Sequence, residues 1–204
     1  MIRRLVRDDS GAALVEFAFV APVMMILIMG LSDLLFQSYA QSVLTGEVQK
    51  AARDSAIEGG AANAGVIDAK VVSRMTPLLK NLTQSCSTTP ANNPVWCSSR
   101  KSYDSFATVA AEPFTDTDHD GVRDPGECFT DLNGNGTWDA DPGTTGQGGA
   151  SAVTVYTMTV TFPRIFPVAG LLGWSPRKTM RASTVLKNQP YAAQTTTTPQ
   201  TVCT

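Results

Sequence analysis

Residues 11–31 read Gly11-Ala-Ala-Leu-Val-Glu16-Phe-Ala-Phe-Val-Ala-Pro22-Val-Met-Met-Ile-Leu-Ile-Met-Gly-Leu31, an apolar run interrupted by one charge. At 1.5 Å per helical residue, residues 12–31 cover about 30 Å, the thickness of a hydrocarbon core, so the run can cross a membrane once. Pro22 removes one backbone donor and predicts a kink, a defect that membrane helices tolerate when neighbours satisfy the freed carbonyl. Arg3, Arg4 and Arg7 precede the run. Basic residues in that position keep the N-terminus in the cytoplasm and send the remainder across. Glu16 then needs an account, because a charged side chain near the bilayer centre costs at least about 2.5 kcal/mol and calls for a partner. Cleavage after Gly11 would supply one: Ala12 becomes a positively charged amino terminus that can pair with Glu16 of a neighbouring copy.

The pattern Gly11, then Val15-Glu16-Phe17-Ala18, then Pro22 and an apolar run resembles the N-terminal region of TadE-like pseudopilins of tight-adherence (type IVb-like) pilus systems. The likeness covers residues 7–53, and the chain looks like the short type of that family. It implies that a prepilin peptidase cuts between Gly11 and Ala12 and that Glu16, followed by Phe17, is the recognition and assembly carboxylate. It also implies a minor pseudopilin that assembles with other pilins and the pilus secretion machinery. The expected location is the bacterial inner membrane, single-pass, with a cytoplasmic N-terminus and a periplasmic or extracellular head.

A removable secretory signal is the competing reading, since Ser38-Tyr39-Ala40 offers small residues at a cut site. Its apolar core would be too long, and Glu16 would have no purpose. The 204-residue chain has formal net charge −2 and no basic stripe beyond its leader, which argues against a nucleic-acid partner.

Beyond Asp33 helical periodicity continues through Tyr39, Val43, Leu44, Val48, Ala51 and Ala52, so one helix is predicted over residues 12–58, stopped by Gly59-Gly60. A second helix is predicted over 66–75, ended by Pro77. Residues 85–101 are rich in Ser, Thr, Asn and Pro and read as loop. Strands are predicted over 152–162, with Tyr156, Met158, Val160 and Phe162 on one face, and over 178–187, with Met180, Ala182, Thr184 and Leu186 inward. A stable sheet needs a third strand, for which 106–111 is the candidate. The apolar connection between the two strands, with Ile165, Phe166, Val168, Leu171, Leu172 and Trp174, reads as a loop folded on the core or as a membrane-surface or subunit-contact patch.

The fold class is therefore α+β: a long N-terminal transmembrane and amphipathic helix, then a small head with an antiparallel sheet and an inserted calcium-type loop repeat. The organisation expected is a leader over 1–11, the helix over 12–58, the head over 59–190 with an acidic insertion at 114–149, and a flexible Thr-rich tail over 191–204, pinned only if Cys203 is bonded.

All four cysteines lie on the exported side, where disulfides persist. Three pairings are open. Cys86 with Cys97 is favoured because Pro90, Pro94 and polar residues between them read as one closed loop, which leaves Cys128 with Cys203. A metal–thiolate site lacks Cys-x-x-Cys spacing.

Asp116-x-Asp118-x-Asp120-Gly121, with Asp124 and Glu127, fills the side-chain ligand positions of a twelve-residue calcium loop, turn glycine and final glutamate included. Fifteen residues on, Asp131-x-Asn133-x-Asn135-Gly136 with Asp139 repeats the pattern. Only Cys128, Phe129 and Thr130 separate the loops, which leaves no room for flanking helices. The repeat resembles the tandem Asp-x-Asn-x-Asn-Gly calcium loops of extracellular bacterial proteins. The second loop has Pro142 where the first has Glu127, so Asp141 is the expected substitute. A solvated Asp/Asn/Gly loop that binds nothing is the plain alternative.

The lone histidine, His119, has no orienting partner outside these ligands, and no nucleophile elbow, phosphate loop or zinc signature is present. The reading is a structural protein rather than an enzyme. A secreted enzyme is the poorest of three classes; an uncut, membrane-anchored, calcium-dependent adhesion module is the main alternative to the pseudopilin.

Overall fold

The structure is a computed structural model that describes residues 10–87, 93–171, 173–190 and 197–203. The leader over residues 1–9, Pro90, Leu172 and the first part of the tail, 191–196, lie outside the described residues.

Helix α1, Ser10–Ser55, runs unbroken through Pro22. Its first half is exposed on all sides, with Leu14, Phe17, Phe19, Leu27 and Leu31 among its outward residues, whereas Ala40, Leu44, Val48, Ala51 and Ala52 are buried. The change follows the sequence: apolar residues surround the first half and fall at spacings of three and four in the second. Past Ser55 the chain turns sharply. A Cβ on Gly60 would stand 2.2 Å from the Ser55 carbonyl oxygen, and Gly59 takes φ +80, so this glycine pair permits the exit from the helix.

Helix α2, Ala64–Met75, packs Ile67, Val71 and Met75 against the buried face of α1. The chain then lays down β1 (Thr83–Gln84), β2 (Val95–Tyr103), a 3₁₀ turn (Phe106–Thr108), β3 (Cys128–Asp131), β4 (Thr144–Thr145), β5 (Val153–Pro163), the single-turn helix α3 (Val168–Leu171), β6 (Arg177–Lys187) and β7 (Gln200–Cys203). The main sheet runs β1-β2-β5-β6, with β4 on the far end of the same edge of β2 that β1 occupies. Strand β1 is parallel to β2 and the other pairs are antiparallel, so the sheet is mixed rather than purely antiparallel. Tyr156, Met158, Val160, Phe162, Met180 and Ala182 form its inner face and meet both helices in one core. Each fully buried apolar side chain there contributes roughly 1.5–3 kcal/mol.

The third strand is β2, which takes the second part of the stretch expected to be loop over 85–101, whereas in 106–111 residues Phe106–Thr108 form a 3₁₀ turn. Residues 95–103 lack the β-branched run that signals a strand, because their inward side chains serve a polar cluster. Arg100 Nη1 and Nη2 bond Asp68 of α2 at 3.1 and 2.6 Å, Ser98 Oγ donates to the same carboxylate at 2.5 Å, and Tyr156 Oη donates at 2.7 Å. The Arg100 guanidinium lies 4.3 Å from the centre of the Tyr156 ring. Both partners of the ion pair are buried, so the cluster fastens α2 to β2 and β5 in a setting where an unpaired charge is costly.

The Thr-rich tail does not end as a flexible segment. Its last residues form β7 in antiparallel register with β3, from Cys128↔Cys203 to Asp131↔Gln200. Cys128 and Cys203 are bonded across this register, and Cys86 pairs with Cys97.

Burial opposes ionisation of Asp68, but the donors of Arg100, Ser98 and Tyr156 and the guanidinium charge outweigh it and hold the carboxyl below the usual range. A depressed folded pKa means that the stabilisation is complete above the ordinary aspartate value of about 3.9 and is lost as pH falls through the folded value. Asp68→Ala is expected to lower stability by about 3–5 kcal/mol and to flatten the loss of stability below about pH 4, measured by denaturant unfolding of the full chain in detergent.

Candidate functional site

Two separate places carry the residues singled out above. In the first, Gly11 to Phe17 lie on the first turns of α1, with nothing within 4 Å of a Cβ built on Gly11 and with Glu16 and Phe17 exposed. Among the described residues Glu16 makes no ion pair. The apolar half of the helix presents its one carboxylate, Glu16, outward.

The second place is the acidic insertion. Asp116 accepts from the N–H groups of His119 (2.7 Å) and Gly121 (2.9 Å), Asp118 from Asp120 (3.4 Å), and Asp120 from Val122 (2.7 Å). Glu127 closes the loop by accepting from Thr117 N–H at 2.6 Å and Asp124 N–H at 3.0 Å. Carboxylate oxygens of Asp116, Asp118 and Asp120 come within 4.8 Å of one another. Partial desolvation and then the charges of Asp120, Asp118, Glu127 and Asp116 push the Asp124 carboxyl up, while the backbone donors of Thr117 and Asp124 pull Glu127 down. The donor set is entirely oxygen and mutually repelling, a chemistry that fits a hard divalent cation.

The second loop repeats this backbone. Asp131 accepts from Gly134 (2.7 Å), Asn135 (3.3 Å) and Gly136 (2.8 Å), Asn133 from Asn135 (3.1 Å), and Asn135 from Thr137 (2.7 Å). Gly121 and Gly136 share positive φ, +80 and +75, and His119 (φ 63) takes the left-handed conformation that Gly134 (φ +78) takes in the second loop. The side chains differ in one respect. Asn133 and Asn135 turn their amide nitrogens to Asp139 at 2.8 and 2.6 Å, so the second loop supplies hydrogen-bond donors to its own carboxylate.

The missing twelfth-position glutamate is not supplied by Asp141, which faces β2 and bonds Lys101 Nζ and, at 2.7 Å, Tyr103 Oη. Burial and this hydrogen bond raise the Tyr103 phenol to about 12. Glu112 closes the second loop instead. Its two oxygens accept from Leu132 N–H at 2.7 Å and Asp139 N–H at 2.9 Å, the positions equivalent to Thr117 and Asp124. Glu112 is 1% exposed and lies upstream of both loops.

The repeat is therefore longer than the ligand pattern alone: Glu112-Pro-Phe-Thr-Asp116 is matched by Glu127-Cys-Phe-Thr-Asp131. The two copies face each other. Thr115 N–H donates to the Cys128 carbonyl and Thr130 N–H to the Pro113 carbonyl, both at 2.8 Å, about an antiparallel bridge of Phe114 with Phe129. Arg123 covers the Phe129 ring and donates to the Glu127 carbonyl, as Trp138 packs on Phe114 and donates to the Glu112 carbonyl. Self-similarity extended four residues upstream of Asp116 is the signal that would have found Glu112.

This reciprocity gives a direct check by amide hydrogen exchange. Glu112→Ala is expected to speed exchange at Leu132 and Asp139 about tenfold or more while Thr117 and Asp124 keep their protection; Glu127→Ala should do the reverse.

No curated protein and no solved structure matches the chain. Residues 11–53, the span from Gly11 through most of α1, match the family model described as TadE-like protein, the family that the N-terminal pattern resembles.

Proposed function

We propose that this chain is a TadE-like minor pseudopilin: a structural component that is cut after Gly11 by a prepilin peptidase and helps assemble an adhesive tight-adherence pilus. The observation that carries this reading is where the TadE-like match begins: at Gly11, the head of the apolar run in α1, with Glu16, the one charge inside that run, five residues on and exposed. In mechanism, the new amine of Ala12 on one copy meets Glu16 of another as helices leave the bilayer, which converts a costly intramembrane charge into a pair that sets register. The partners are other pilins or pseudopilins and the secretion machinery, and the uncut protein sits in the inner membrane with its head outside the cytoplasm. The role is structural and not enzymatic.

We further propose calcium as the ion of the acidic insertion. Asp116, Asp118, Asp120, Asp124 and Glu127 would hold it in the first loop. In the second, Asp131, Asn133, Asn135 and Asp139 would do so with Glu112 rather than Asp141, and more weakly, since the asparagine amides already satisfy Asp139. An uncut calcium-dependent adhesion module is the second reading, favoured by the placement of this insertion at the end of β2 and β5 farthest from α3.

The mass of the N-terminal peptide from native membranes decides between the two. A chain beginning at Ala12 only in cells with active prepilin peptidase is expected; one beginning at Met1 in both leaves the first segment a plain anchor. For the insertion, millimolar calcium is expected to slow proteolysis within 116–141, and Asp116→Ala to remove that protection; cleavage indifferent to calcium would refute the ion site.

A further inference from the structure

The connection between β5 and β6 reaches down the helix toward its apolar half. Arg164 Nη1 bonds Asp33 at 2.7 Å, on the same carboxylate oxygen that accepts from Gln37, and Arg164 Nε donates to the Ser175 carbonyl at 3.0 Å. Asp33 is the first charged residue after the apolar run. From this clamp the chain continues past Asp33 in the direction of the N-terminus. Val168 Cγ1 lies 4.0 Å from a Cβ built on Gly30, and α3 and Trp174 share a groove with Ile26, Leu27 and Leu31.

At 1.5 Å per residue, Gly30 and Ile26 lie about 4.5 and 10.5 Å below Asp33 along the helix axis. If residues 12–31 span the hydrocarbon core, the groove is at the depth of the headgroups and upper acyl chains. What the connection turns outward suits that depth: Leu171, Trp174 and Ile165 are 72, 54 and 53% exposed. Arg164 is its one charge, and that is spent on Asp33. Its guanidinium also lies 5.9 Å from the Trp174 ring centre, which orients the indole at the edge of the clamp. Lys178, the next basic residue but one after Pro176, lines a surface with Leu34, Gln37 and Ser38, one level higher, where lipid phosphates would lie.

We propose that the described residues of the β5–β6 connection, 164–171 and 173–176, form an interfacial membrane anchor, with Ile165, Leu171 and Trp174 seated in the lipid leaflet on the head's side of the membrane. This rests on reading α1 as a membrane span. An amphipathic tryptophan beside apolar side chains is the composition that bilayer interfaces favour. The anchor and α1 are continuous, so the head meets the membrane at two points and is held at a fixed tilt. One point alone would let it swing about the helix.

The test uses the full chain in vesicles of dioleoylphosphatidylcholine, plain or brominated in the upper part of the acyl chains. Trp174 is one of three tryptophans, so its share of the emission is the difference between the parent chain and Trp174→Phe. That share is expected to be lost in brominated vesicles and to resist iodide in the aqueous phase. A second variant, Met24→Trp, reports the span by quenching from deeply brominated lipid. If Met24→Trp is quenched while the Trp174 share yields to iodide and not to bromine, the anchor is refuted and the span stands. If the Trp174 share is shielded from both, and dilution of protein in lipid removes the shielding, a second copy of the chain covers the patch and the proposal fails. If Met24→Trp is not quenched, the span reading fails and the anchor with it.

Discussion

A helix that is apolar on every side over its first half and apolar on one side thereafter cannot be satisfied by one environment. The outer half of α1 needs a partner surface for Ala40, Leu44, Val48, Ala51 and Ala52, and the head exists in the form that supplies it. Helix α2 covers one flank and the inner face of β5 and β6 the other. The inner half offers no such pattern, and the head leaves it uncovered beyond the reach of α3. Asp33 marks the change between the two regimes, and Arg164 is placed where that change occurs.

Inside the head the same burial creates a second constraint. A strand with Ser98 and Arg100 facing inward would be a defect without Asp68, and Asp68 in a helix face otherwise made of Ile67, Val71 and Met75 would be one without Arg100. Together they satisfy each other and admit the Tyr156 hydroxyl to the core. Such a pair adds less to net stability than apolar packing of equal volume could, but it admits only one placement of α2 on β2. It also explains which parts of the fold were legible. Strands β5 and β6 carry alternating apolar faces and were readable with nearly correct limits, as were both long helices. Strand β2 was not, because its inward residues are polar for a tertiary reason that no local pattern contains.

The acidic insertion shows a different limit. Its ligand-type residues and turn glycines were readable from spacing, and both disulfides from the loop enclosed by Cys86 and Cys97 and the two cysteines left over. The closing residue of the second loop was not, since proximity in sequence pointed to Asp141 whereas the structure uses Glu112 from the far side of the first loop. Loop closure by a distant residue requires the two repeats to face each other, and that arrangement depends on the Phe114–Phe129 bridge and the exchange of Arg123 and Trp138. Nothing in one copy reveals it; the relation between copies does.

The sheet separates two chemistries by its length. Strand β2 runs from Val95, paired near the β5 end that feeds the 163–177 connection, to Tyr103, which receives Asp141 of the insertion. At roughly 3.3 Å per residue this is about 26 Å of extended chain between an apolar end beside α1's boundary and an acidic end. Three attachments brace the acidic end: Asp141 to Lys101 and Tyr103, β4 to β2, and Cys128 to Cys203. A displacement of the second loop therefore bears on β2, and through Arg100 and Asp68 on α2 and the packed half of α1. The route is made of charge pairs and strand ladders among the described residues, and it ties the acidic insertion to the packed half of α1.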